Sequence, residues 1–201
     1  ETAVDRAMTV ALSEPMGPVY LTLPREVLAE PGAGTGAAPP PATPAAPPGP
    51  DPVAIERAAD ILAGAERPMI VTGDAGRSAA AFEALSRLAD RHAIPVVSYF
   101  ARSLCIASDH PMNLGYEPGP VLADADAVLA VDCDVPWIPS LQGPPAGCRV
   151  IHLGVDPLFS RYPVRSFPCD LAIDASPALA LPALDAAIAG RTGDSEAVAA
   201  R

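Results

Sequence analysis

Apolar positions along the chain alternate between a helical period and short continuous runs. Helical spacing of apolar residues occurs in residues 1–14, 53–62, 81–89 and 179–188. Between these segments lie five short apolar runs, at residues 69–71, 94–99, 127–131, 149–153 and 171–174. Strands that are apolar without alternation are usually buried on both faces of a parallel sheet. The pattern therefore predicts a Rossmann-like α/β domain, with a doubly wound parallel sheet of about five to six strands and helices on both faces.

The first 50 residues have a different pattern. Residues 1–14 are followed by the stretch GPVYLTLPREVLAE at positions 17–30, in which residues 19–23 have the composition of a short strand. Residues 31–50 hold eight prolines and four glycines, a composition that cannot bury a core. We therefore predict four parts: the end of a preceding domain, a linker, a compact domain and a tail, at residues 1–30, 31–50, 51–190 and 191–201.

Charge and cysteine spacing exclude several kinds of site. The net charge is −11, all 13 basic residues are arginine, and the chain has no lysine. A P-loop lysine and a Schiff-base lysine are therefore excluded, and an acidic chain without a basic cluster argues against nucleic acid or an anionic membrane as a partner. No apolar run approaches the roughly 20 residues of a membrane span. The four cysteines lack CxxC spacing, which argues against a zinc site and favours reduced thiols in a cytoplasmic protein.

Ligands of doubly wound sheets bind beyond the carboxyl ends of the strands, which directs attention to the segment GDAGR at positions 73–77. Gly73 and Gly76 would let backbone amides approach a pyrophosphate, and Arg77 would add a charge-assisted hydrogen bond. Asp74, however, places a negative charge where a phosphate would sit, so a plain strand-to-helix turn is the alternative. Asp156, after the fourth apolar run, could accept hydrogen bonds from a ribose or simply form a turn. These five residues are the predicted cofactor-binding set.

No catalytic residue or metal ligand is predicted within the chain. His152 lies inside an apolar run and is interpreted as a core histidine. Cys133 lies between Asp132 and Asp134, whose charges would raise the pKa of the thiol and disfavour a nucleophilic role. Trp137 is interpreted as a packing residue and not as a platform for a ligand.

Four stretches, taken in order, resemble a known family. They are EPMGPVYLTLPREVLAE, ERPMIVTGDAGRSAAAFEALSRLADRHAIPVVSY, DADAVLAVDCDVPWIP and RVIHLGVDPLFSRYPVRSFPCDLAIDASPALALPAL. Their order is similar to that of thiamine diphosphate-dependent enzymes of the acetolactate synthase and 2-oxo acid decarboxylase family. There, the end of a pyrimidine-binding domain is followed by a proline-rich linker and a Rossmann-like central domain. The resemblance covers residues 1–190.

The resemblance implies a role without catalysis for this chain. Family members have pyrimidine-binding, central and diphosphate-binding domains, and thiamine diphosphate lies between the first domain of one subunit and the third domain of its partner. Mg²⁺ and the diphosphate are held by a GDG motif and an asparagine. Here Gly73 and Asp74 are followed by Ala75, and Asn113, the only asparagine, stands in another context. The expectation is a central structural domain of a lyase or transferase acting on 2-oxo acids. Its partners would be the other two domains and further copies of itself.

A nucleotide is the second possibility. Some family members bind FAD or ADP in the central domain, and the matching positions here are 73–76 and Asp156. Two segments depart from the FAD-containing pattern, GYEP at 115–118 and DVPW at 134–137. The alternatives are a stand-alone module that binds FAD, ADP or NAD, and an NAD-dependent deacetylase-like enzyme. The latter would need a catalytic loop histidine, for which His110 is the candidate, together with a zinc cluster.

Overall fold

The computed structural model describes residues 2–32 and 43–192. The chain divides into two compact units, Glu1–Pro47 and Pro48–Arg201. None of the helices within the described ranges is long and apolar enough to cross a membrane.

The first unit contains two helices, α1 (Thr2–Leu12) and α2 (Arg25–Ala29). The helix predicted for residues 1–14 is confirmed at α1, whereas the strand predicted for residues 19–23 is wrong. That segment forms no ladder within the described residues, and Tyr20 in it is 91% exposed. A strand exists only when its backbone groups pair with a neighbouring strand, so strand-like composition alone does not make one.

The second unit is an α/β domain whose elements follow the predicted order. Its helices and strands are α3 (Pro52–Gly64), β1 (Pro68–Thr72), α4 (Ala79–His92), β2 (Val96–Ser98), α5 (Gly119–Leu122), β3 (Ala127–Val131), β4 (Arg149–Gly154), β5 (Leu171–Asp174) and α6 (Pro177–Thr192). Asp51 caps α3 by accepting from the Val53 amide at 2.9 Å, and Ser78 caps α4 by accepting from the Ala81 amide at 3.4 Å. These caps satisfy amides that have no partner inside the helix.

The five strands form one parallel sheet in the order β2-β1-β3-β4-β5. Ile70 of β1 lies opposite Val96 of β2 on one side and Leu129 of β3 on the other. The chain moves outward from β1 to β2 and then crosses back over β1 to reach β3. This reversal makes the sheet doubly wound and places the topological switch point between β1 and β3. The predicted fold class is confirmed.

Two apolar layers sandwich the sheet. On one face, the long helices α3, α4 and α6 supply fully buried side chains that include Leu62, Leu85 and Leu184. On the other face, Leu122 of α5 and Trp137 pack against strand residues, and long loops cover the remainder. β1, β2 and β3 are buried at every position, and β4 at all but its first, which explains why their apolar runs do not alternate, whereas only Leu171 and Ile173 are buried in β5. The loops begin at the carboxyl edge of the sheet, where the candidate site lies.

Candidate functional site

The switch-point crevice lies where β1 and β3 end. Gly73 and Asp74 follow β1, and Asp132, Cys133 and Asp134 follow β3. The two strand ends are close together: a Cβ added at Gly73 would lie 3.2 Å from the Asp132 carbonyl oxygen and 3.6 Å from the Cys133 Cα. Crevices at this position bind ligands in doubly wound folds, so this crevice is the first candidate for a binding site.

The glycine turn after β1 is filled by the chain's own backbone. A short 3₁₀ turn spans Ala75–Arg77, and a Cβ added at Gly76 would overlap the carbonyl group of Leu104. The amide of Arg102 also donates to the Gly73 carbonyl at 2.8 Å. In a dinucleotide-binding turn, a glycine at this place lets the pyrophosphate approach the backbone. Here the loop that follows β2 takes that space.

Arg102 offsets part of the negative charge at the mouth of the crevice. Its guanidinium lies between two carboxylates, with 3.8 Å from Nε to Asp74 Oδ2 and 3.5 Å from Nη1 to Asp134 Oδ2. The arginine side chain is 54% exposed, so each ion pair adds little stability. Sequence reasoning missed Arg102 because it lies in a loop without periodicity. The one signal for Arg102 in the sequence was its position shortly after the end of a predicted strand.

The structure brings together only part of the predicted cofactor set. Gly73, Asp74 and Gly76 meet at the crevice, and Arg77 is exposed on the adjoining turn. Asp156 follows β4, which lies two strands away from β1. Its carboxylate accepts from the Ser160 amide at 2.9 and 3.1 Å and from the Ser160 hydroxyl at 3.1 Å. The turn-forming role considered for Asp156 is therefore present in the structure.

A second polar cluster lies under the loop between β4 and β5. Arg165 of this loop donates to the carbonyl oxygens of Asp134 at 3.3 Å and Cys133 at 3.5 Å, and to His152 Nδ1 at 3.3 Å. The second ring nitrogen, Nε2, lies 3.0 Å from the Pro168 carbonyl oxygen. Because a carbonyl only accepts, Nε2 carries the proton and Nδ1 accepts from the guanidinium. His152 is 1% exposed, which confirms its interpretation as a core histidine.

The electrostatics of this cluster disfavour nucleophilic chemistry. Burial raises the pKa of the Cys133 thiol to about 12, and the neighbouring Asp134 carboxylate adds to the rise. A thiol with such a pKa supplies almost no thiolate at neutral pH. Trp137 is 2% exposed and packs edge to face on Phe167 with 5.3 Å between ring centroids. The predicted packing role of Trp137 is confirmed.

His152 makes the stability of the fold depend on pH. Burial lowers its pKa from 6.5 to about 4. Between about pH 6.5 and pH 4 the unfolded chain therefore binds more protons than the folded chain, so the free energy of unfolding falls as the pH falls through this window. We expect a loss of about 3 kcal/mol from this residue, complete near pH 4. Urea unfolding of the wild type and of His152→Gln at about pH 7 and pH 4.5 measures it.

The variant should lose less stability on acidification than the wild type, because glutamine takes up no proton. His110→Gln is the matched control, since His110 lies in a loop and accepts from the Met112 amide at 3.1 Å. Because this variant keeps His152, the part of the acid loss that His152 causes should persist in it. Equal acid losses for the wild type and His152→Gln would refute the assignment.

Comparison with known proteins identifies the family. Residues 55–184 match the family model described as "Thiamine pyrophosphate enzyme, central domain". The chain belongs to this family. Thiamine pyrophosphate is another name for thiamine diphosphate, so the resemblance seen in the sequence is confirmed.

Curated relatives include two decarboxylases. The probable 2-ketoarginine decarboxylase AruI of Pseudomonas aeruginosa is 34% identical over 163 residues, which are 77% of this chain and 28% of that protein. Oxalyl-CoA decarboxylase of Escherichia coli is 29% identical over 165 residues, which are 77% of this chain and 28% of that protein. The chain thus matches less than a third of the length of these relatives.

Solved structures show the same fold. A putative thiamin diphosphate-dependent enzyme from Mycobacterium smegmatis superposes with a TM-score of 0.73 at 24% identity, covering 93% of this chain and 37% of that one. Benzoylformate decarboxylase from Polynucleobacter necessarius gives a TM-score of 0.74 at 23% identity, covering 92% and 36%. At these identities the likeness establishes the architecture alone.

Proposed function

We propose that this chain is the central structural domain of a thiamine diphosphate-dependent lyase or carboligase that acts on 2-oxo acids, and that it does not catalyse alone. The observation that carries the proposal is the family match across residues 55–184, which includes the sheet from β1 to β5. The matched decarboxylases support a parent enzyme of this chemical class. The domain's contribution is a rigid spacer that fixes the distance between two cofactor-binding domains.

The residues of the crevice do not fit thiamine diphosphate and its Mg²⁺. Asp74 and Asp134 are paired with the Arg102 guanidinium, and the space above Gly76 holds the Leu104 carbonyl. A metal-bound diphosphate needs free oxygen ligands and an open backbone cradle. We therefore place the cofactor in the domains that the proposed parent adds to this one.

The proposed division of the chain into domains also follows from membership of this family. Residues 1–30 would end a pyrimidine-binding domain, 31–50 would form a linker, 51–190 the central domain and 191–201 a tail. The division of the chain into two units between Pro47 and Pro48, inside the proline-rich segment, supports this arrangement. The partners would be the pyrimidine- and diphosphate-binding domains and further copies of the same polypeptide, in the cytoplasm.

A comparison of two preparations tests this function. The 201-residue chain and the longest native polypeptide that contains it are titrated calorimetrically with thiamine diphosphate and Mg²⁺, and each is assayed for CO₂ release from 2-oxo acids. We expect binding and CO₂ release from the longer polypeptide and neither from the 201-residue chain. CO₂ release by the 201-residue chain alone would contradict the structural role.

A stand-alone nucleotide-binding module is the second candidate function, because Gly73 and Gly76 lie at the switch point with Arg77 beside them. Such a module binds FAD, ADP or NAD, and a ligand that binds only the folded state raises the melting temperature. The structural proposal predicts no rise with any of the three. A rise with one nucleotide that Arg77→Ala abolishes would favour the module.

A further inference from the structure

The loop between β4 and β5 crosses the second face of the sheet without forming a helix or strand. We call residues 155–168 the strap. Two of its residues, Asp156 and Phe159, have positive φ angles of 63° and 50°. Aspartate tolerates the left-handed region, but the bulky side chain of Phe159 makes it unfavourable there. Contacts made elsewhere along the strap must therefore hold its path.

Arg165 is the main contact between the strap and the sheet. Its guanidinium bonds to the carbonyl oxygens of Cys133 and Asp134 and to the ring of His152. It also lies 4.9 Å from the ring centroid of Phe159 and 5.0 Å from that of Phe167. One cation thus joins the strap, the end of β3 and the middle of β4. Loss of its position would release several contacts together.

The bond between Arg165 and His152 requires a neutral imidazole. Nε2 donates to the Pro168 carbonyl, so the lone pair on Nδ1 is what receives the guanidinium N–H at 3.3 Å. A proton added at Nδ1 would set its N–H against the guanidinium N–H. It would also place the positive charges of the imidazolium and the guanidinium next to each other at this distance. The neighbouring strands place Ala130 and Ala172 beside His152, so neither side chain offers a compensating charge.

The acidic groups near His152 are already engaged. Asp132, Cys133 and Asp156 line the same cavity of about 10 Å³, which has room for about one water molecule. The Asp132 carboxylate lies against the end of β4 at Gly154, and Asp156 accepts from Ser160.

Asp134 lies next along the chain and accepts from Arg102, Tyr162 and the Val135 amide. Burial and the Asp134 charge keep the Cys133 thiol protonated. Both ring nitrogens are engaged, by the Pro168 carbonyl and by Arg165, so a second proton on the ring remains costly while the strap is seated.

We propose that the strap is an acid-sensitive clasp: when His152 takes up a proton, Arg165 is released, and the strap opens to expose Cys133 and the carboxyl edge of β3. Cys133 is 3% exposed while the strap is seated, and its neighbours include Phe159 of the strap. The clasp depends only on residues of this unit. Its test is therefore independent of the proposed function.

Thiol labelling of the whole chain measures the opening. The chain is exposed to 4,4′-dithiodipyridine at about pH 7 and about pH 4.5, and labelling of each cysteine is read by peptide mass spectrometry. Rates are divided by that of a short cysteine peptide at the same pH, which removes the intrinsic reactivity of the reagent. The clasp predicts that Cys133 labelling rises on the order of 50-fold at the lower pH, as expected for uptake of one proton on opening.

Cys105 is the internal control for local opening. It is 1% exposed and lies in the core layer on the opposite face of the sheet. The clasp predicts that Cys105 stays unlabelled while Cys133 reacts. Parallel labelling of both thiols would mean global unfolding and would overturn the proposal.

Two variants test the chemistry of the clasp. His152→Gln can still donate to Pro168 and accept from Arg165 but takes up no proton, so the acid acceleration at Cys133 should disappear. His110→Gln, the loop control, should retain it. Acceleration that persists in His152→Gln would overturn the proposal. If His152→Gln does not fold, Arg165→Met provides the test. In Arg165→Met, Cys133 should already react rapidly at about pH 7, and slow labelling at that pH would refute the clasp.

Discussion

Replacing Trp137 with alanine is expected to lower the free energy of unfolding by about 3–5 kcal/mol. The indole is 2% exposed, and it packs against Phe167 in the core layer that also contains Met69 and Val150. Removing it deletes the largest side chain of this layer and leaves a cavity that the sheet cannot close. Because Trp137 is the only tryptophan, urea unfolding should be followed by far-ultraviolet circular dichroism and not by tryptophan fluorescence.

Leu141→Ala is the matched control for this substitution. Leu141 follows in the same loop and is 76% exposed, so its truncation should change the free energy of unfolding by no more than about 0.5 kcal/mol. Similar small effects for both variants would show that Trp137 is not a core residue. The alternative role as a platform for a ligand would then regain support.

Replacing Gly76 with alanine is expected to cost about 2–3 kcal/mol. The added methyl group would overlap the carbonyl group of Leu104, which is backbone and cannot rotate away. Relief requires the loop after β2 to shift, and this shift would strain the bond between the Arg102 amide and the Gly73 carbonyl. Urea unfolding without any added nucleotide measures the cost, and so separates this packing effect from a loss of ligand.

Gly64→Ala is the control for the glycine substitution. Gly64 ends α3, and a Cβ there has nothing within 4 Å. Alanine at that site should leave the stability unchanged or raise it by up to about 1 kcal/mol. If Gly76→Ala is as well tolerated as Gly64→Ala, the loop is not seated on the turn. The crevice would then be open to a pyrophosphate.

Two of the strands could be predicted from the sequence residue by residue. The runs at 127–131 and 171–174 coincide with β3 and β5. β3 pairs on both sides and is buried on both faces, so almost every position in it has to be apolar. The prediction was less accurate for β2, where residues 94–99 were expected and only Val96–Ser98 form a strand. β2 follows Pro95, which has no amide to donate to a ladder and so shortens the strand at its start.

The parts that the sequence did not predict depend on long-range contacts. Residues 19–23 have strand composition, but a ladder needs a partner that local composition does not specify. Arg102 and Arg165 belong to loops without hydrophobic periodicity. Their meeting at Asp134 becomes evident only once the strand order is known. The glycine turn at 73–77 was recognised from sequence, whereas the backbone that fills it was not.

The size of the native polypeptide tests whether this chain is the central domain of a larger enzyme. An antibody raised against the 201-residue chain would detect, in its source cells, the protein that contains this sequence. The matched segment is 28% of the AruI relative, so we expect a polypeptide nearly three times the 20.5 kDa of this chain. A native protein of 20.5 kDa would contradict a central domain within a larger enzyme.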